Sequence, residues 1–82
     1  MARQPTKTIH DLHRDAMALT VRKRPQSSED AVAIANEVKK LAEAAGYQRV
    51  VVREPLPGHV EVEIGPDGGT LSWDGKEWAR PP

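Results

Sequence analysis

The sequence predicts a small α+β domain: two helices followed by a three- or four-stranded antiparallel β-meander, with the helix over residues 28–45 packed on one sheet face. Three observations predict it. Ala31, Ile34, Ala35, Val38, Leu41, Ala42 and Ala45 recur at the i, i+3, i+4, i+7 spacing of one helical face. His59 to Ile64 alternates, with Val60, Val62 and Ile64 on one side and His59, Glu61 and Glu63 on the other, the period of a strand. Turn signals at Leu56-Pro57-Gly58, at Gly65-Pro66-Asp67-Gly68-Gly69 and at Asp74-Gly75 then divide the second half into short segments.

The elements follow in order within a single domain over residues 1–82. Residues 1–7 read as a flexible basic arm. Thr8-Ile9-His10-Asp11 has the pattern of a capping box, with Thr8 as N-cap and Asp11 reaching back. Ile9, Leu12, Ala16 and Leu19 share a stripe, so a helix is expected from about Ile9 to about Val21, while Met17 and Val21 lie off that stripe. Because Leu19-Thr20-Val21-Arg22 also alternates, residues 17–22 have a second reading as a strand, which would make the fold β-α-β-β-β. Pro25 stops this element. Ser27 or Ser28 then caps the second helix, Glu29 and Asp30 suit the positive end of its dipole, and Gly46 stands where a left-handed C-terminal residue belongs. Lys39 and Glu43 form an i, i+4 pair on its outer surface.

Val50-Val51-Val52 begins the first strand, between Gln48 and Glu54. Pro57-Gly58 suits the centre of a type II turn. Thr70 to Trp73 is a further strand, and Asp74-Gly75 reads as a two-residue hairpin turn pairing Trp73 with Lys76 and Leu71 with Trp78. The expected apolar face is Val50, Val52, Val60, Val62, Ile64, Leu71, Trp73 and Trp78. The opposite face carries Arg49, Val51 and Arg53, placed to meet Glu61 and Glu63. Residues 79–82 are a Pro-rich tail, since Pro81-Pro82 cannot extend a ladder.

Composition narrows the function. The chain has 82 residues, no Cys and no Phe, and its only aromatic side chains are Tyr47, Trp73 and Trp78. Thiolate and disulfide chemistry are excluded, and so thin a core often gains stability from a partner or from self-association. No apolar run reaches the length of a membrane span, and the N-terminus has no apolar signal region, so a cytoplasmic protein, or a virion component assembled there, is expected. The formal net charge of zero hides an asymmetry: residues 1–25 hold six basic and two acidic side chains, a net +4, and residues 26–82 a net −4. Such halves suit pairing between copies or with a charged partner.

No pattern in the chain carries chemistry. His10 and His13 read as two solvent-facing histidines on a basic helix, without a third metal ligand. His59 with Glu61 and Glu63 reads as a salt-bridged strand face. No catalytic residue, metal, cofactor or small-molecule substrate is assigned. The partner-binding candidates are Arg14, Arg22, Lys23 and Arg24, the basic side chains around the end of the first helix, and Trp73 and Trp78. The tryptophans double as core anchors if both are buried. The stretch Trp73-Asp74-Gly75-Lys76-Glu77-Trp78 resembles the Trp-Asp-Gly-x-x-Trp hairpins of various phage and bacterial structural proteins. The expected function is a non-enzymatic interaction or structural module, an accessory subunit of a larger assembly such as a phage particle. The alternatives are a nucleic-acid-binding or regulatory protein using the basic N-terminal region, and a small inhibitor docking on a host enzyme. The basic run favours the nucleic-acid reading, whereas the lack of stacking aromatics in the strands opposes it.

Overall fold

The structure is a computed structural model that describes residues 4–66 and 68–81. Helix α1 (Ile9–Lys23) and helix α2 (Ser28–Ala45) precede an antiparallel sheet of β1 (Arg49–Leu56), β2 (His59–Gly65) and β3 (Gly69–Trp73), in spatial order β1-β2-β3. This is the α+β fold that the helical and strand periodicities imply. Both helices cover one face of the sheet, α2 over β1 and β2, and α1 beside α2 at the β3 side.

Each helix starts and stops on local chemistry. Thr8 Oγ accepts the Asp11 N–H at 3.2 Å, and the Asp11 carboxylate accepts the Thr8 N–H at 2.9 Å, closing the capping box. Ser27, rather than Ser28, caps α2, accepting the Asp30 N–H at 3.2 Å; the Asp30 carboxylate in turn accepts the Gln26 N–H at 3.0 Å. Gly46 ends α2 at φ 112°, a conformation that a side chain would disfavour. Residues 17–22 lie inside α1, so the β-α-β-β-β alternative is overturned. Burying Leu12, Ala16 and Leu19 together requires the helical period, and α1 consequently runs on through Arg22 and Lys23.

The strand register aligns the apolar face. Val50 opposes Ile64, Val52 opposes Val62, and Leu71 completes that row from β3. Val60, Val62, Ile64 and Leu71 are fully buried with Leu12, Ile34, Ala35 and Val38 from the helices. Leu41, expected in the core stripe, is only half-buried and flanks the cleft between α1 and α2. On the open face, Val51 opposes Glu63 and Arg53 opposes Glu61, but the ion pair forms on the diagonal, Arg53 to Glu63 at 2.6 Å. The Lys39–Glu43 pair is not among the ion pairs of the described residues, and Lys23 to Glu37, at 3.7 Å, joins the helices instead. The turn from β2 to β3 brings Gly68 so close to the chain that an added Cβ would lie 2.5 Å from Ile64 Cγ2 and 2.9 Å from Tyr47 Cε1, so only glycine fits.

The ends depart from expectation. Among the described residues no fourth strand forms; Trp73 and Trp78 make one isolated antiparallel bridge, in place of the expected Trp73–Lys76 and Leu71–Trp78 pairs. The Asp74 side chain is the cause. Its Oδ1 accepts the N–H groups of both Lys76 and Glu77, at 2.8 and 3.0 Å, which rounds the chain through residues 74–77 and moves the pairing outward. The tail then stays on the sheet, with Ala79 N–H donating to Ser72 O at 2.8 Å and Pro81 buried. Of the arm expected over residues 1–7, residues 1–3 lie outside the described residues. Thr6 and Lys7 are tied down: Thr6 N–H donates to Ala45 O at 2.8 Å, Lys7 pairs with Asp15 at 2.7 Å, and Tyr47 O–H donates to Lys7 O at 2.8 Å.

Two predictions follow from this packing. Leu12→Ala should cost about 2–5 kcal/mol by leaving a cavity between helix and sheet, whereas Val51→Ala on the open face should cost under about 1 kcal/mol; urea melts of the two variants test the assignment of faces. The second concerns acid. Backbone donation from Thr8, then the Arg14 guanidinium, holds the Asp11 carboxyl below the usual carboxylate range, and the Glu77 and Lys76 N–H groups do the same for Asp74. A lowered native pKa means that the stabilisation is complete above about pH 4 and is lost as pH falls through the native values. Asp74→Asn should therefore flatten the loss of stability on acidification. Parallel acid-unfolding curves for the variant and the parent would contradict this.

Candidate interaction surface

The residues that the sequence grouped as partner-binding separate in space. Trp73 and Trp78 are 6% and 3% exposed, with ring centroids 5.5 Å apart and planes at 51°. Trp78 Nε1–H donates to Thr20 Oγ at 2.9 Å, and the Trp78 carbonyl accepts from His13 Nε2 at 3.0 Å. Both rings serve the core, which corrects their place among surface candidates. His13 is also buried rather than solvent-facing, because the tail folds over it. A carbonyl only accepts, so this hydrogen bond is donated by the His13 Nε2–H.

The run Arg22-Lys23-Arg24 does not form one patch. Lys23 pairs with Glu37 of α2 at the surface. Arg22 joins Asp15, Ala18, Leu19 and Leu41 along the cleft between the helices. Arg24 is the C-cap of α1 and takes φ 48°, the left-handed region that glycine usually fills, while its N–H donates to Thr20 O at 2.8 Å. Arg14 is exposed and pairs with Asp11 one turn back.

The structure assembles a different surface. His10, Arg14, Met17 and Val21 fall at i, i+4, i+7 and i+11 along α1, and all four are exposed. Met17 is 44% and Val21 76% exposed, which makes them two of the four large apolar side chains that the described residues leave in water. The others, Val51 and Leu56, belong to β1. Beside the stripe, between α1 and the C-terminal segment, runs a groove of about 410 Å³ lined by His10, His13, Arg14, Met17 and Arg80. A smaller cleft of about 240 Å³ lies where residues 25–28 meet Gly58, Trp73 and Gly75, and no titratable side chain lines it.

Sequence reasoning placed Met17 and Val21 off the core stripe, which was the available signal for the exposed face. Arg80 and His13 carried no such signal. They meet only because the Trp73–Trp78 bridge brings the tail back to α1. Among the described residues, no three His, Asp or Glu side chains cluster as a metal site, and no helix is long and apolar enough to cross a membrane. No family model matches the chain, and no match appears among the curated proteins or the solved structures compared with it.

The strained cap yields a prediction. Arg24→Gly removes the left-handed penalty and should raise stability by up to about 1 kcal/mol, the glycine's own entropy offsetting part of the gain. Thermal melts of the two proteins measure it, and a variant less stable than the parent would show that the Arg24 side chain itself holds the cap.

Proposed function

We propose that the protein is a non-enzymatic interaction module, a small accessory subunit of a larger assembly, and that it docks through the outward face of α1. The observation that carries this reading is the exposure of Met17 and Val21 on one helical stripe with Arg14 between His10 and the apolar pair. Exposed apolar side chains beside arginines, here Arg14 and Arg80, match the composition of protein interfaces, where Met and Arg are enriched and hot spots gather. A helix that presents side chains at i, i+4, i+7 and i+11 is also a recurring docking element. A cytoplasmic assembly, a phage particle among them, is the setting consistent with the lack of cysteine and with the tryptophan hairpin.

Site-specific photocrosslinking tests the proposal. A benzophenone side chain at position 21 should give discrete heavier adducts in native lysate, and the same group at position 51 on the open sheet face should not. Adducts at position 51 alone, or at neither position, would contradict the assignment of the docking face.

A further inference from the structure

We propose that the partner docking on α1 is an acidic protein segment, which places a carboxylate in the groove between α1 and the C-terminal segment and an aliphatic side chain against Met17 and Val21. The inference rests on the interaction reading above and adds the chemistry of the partner.

Charge complementarity carries it. The groove is lined by Arg14, Arg80, His10, His13 and Met17, so it holds two guanidinium groups and no carboxylate. The acids of α1 are already engaged, Asp11 by Arg14 and Asp15 by Lys7. Arg80, Arg22 and Arg24 take part in no ion pair among the described residues. His13 is buried and spends its Nε2–H on the Trp78 carbonyl, so it shapes the groove rather than supplying a donor. An incoming carboxylate therefore meets the guanidinium groups of Arg80 and Arg14, with the neighbouring Asp11 already paired to Arg14.

The apolar half of the face selects protein over nucleic acid. Val21 lies seven residues beyond Arg14, about 10 Å along the helix. Phosphates gain nothing from an exposed valine, and bases need stacking platforms; here both tryptophans are buried. The same stripe disfavours a symmetric pair of α1 helices. Such a pair would bring two copies of a stripe that holds His10 and Arg14 into one interface, with the α1 carboxylates of Asp11 and Asp15 already paired.

The test uses the full chain and five defined probes. These are an amphipathic peptide of 18 residues, about, with leucines on one face and glutamates elsewhere, its glutamine and lysine counterparts, polyglutamate, and a duplex DNA. Amide chemical shifts, read with each probe, should move for His10, His13, Arg14, Met17, Val21 and Arg80 on adding the glutamate–leucine peptide. That peptide should bind at least about tenfold more tightly than the glutamine form or polyglutamate, since one loses the charge and the other the apolar contact. Arg80→Gln, with no ion pair to break, should weaken it about fivefold, the effect of one exposed charge pair. Val21→Ser should weaken it while leaving polyglutamate unaffected. Equal affinity for the glutamate and glutamine peptides, no binding of any peptide, or tighter binding of DNA lost in Arg80→Gln would each overturn the proposal. So would light scattering that shows a dimer abolished by Val21→Lys, which would assign the face to a second copy. Crosslinking at position 21 with no preference among the peptides would leave the interaction reading standing and remove only the acidic partner.

Discussion

Trp78 holds together parts of the chain that nothing local would join. Its indole packs on Trp73, its Nε1–H donates to Thr20, and its carbonyl accepts from His13, 65 residues away in sequence. One residue thus links β3, the C-terminal segment and two positions on α1 about two turns apart. The groove that brings Arg80 beside His10 and Arg14 exists as a consequence of that anchor.

The Trp78 contacts also explain a division of labour on α1. Thr20 donates to Ala16 O at 2.8 Å and receives the indole N–H, so a polar residue on the flank of the core stripe is fully used. Leu12, Ala16 and Leu19 face the core, Lys23 reaches Glu37 on α2, and the remaining turns face water. A helix packed against α2, the sheet margin and the C-terminal segment still keeps an outer surface. On that surface the apolar Met17 and Val21 stand beside His10 and the Arg14–Asp11 pair. The open face of the sheet, by contrast, is closed electrostatically by Arg53 and Glu63.

Much of this was legible in the sequence where short-range rules act. The capping box at Thr8 and Asp11, the left-handed Gly46, the Pro57-Gly58 turn and the core register of β1 with β2 all depend on a few neighbouring residues, and each reads directly from side-chain chemistry and period. The Asp74 turn was misread because an Asp-Gly pair signals a two-residue hairpin, yet the same aspartate can take two backbone N–H groups and widen the loop. His13 was placed in solvent because its burial comes from a segment at the far end of the chain.

By itself the sequence determined two amphipathic helices, the inward faces of three strands and the absence of thiol chemistry, since these follow from periodicity and composition. Only the tertiary structure decided that the tryptophans are core, that the basic run is split among three environments, and that Arg80 joins His10 and Arg14 beside Met17. The physical reason is range. Caps and strand faces are settled within a few residues, whereas a surface patch is the sum of side chains brought together by packing from opposite ends of the chain, and here that packing runs through Trp78.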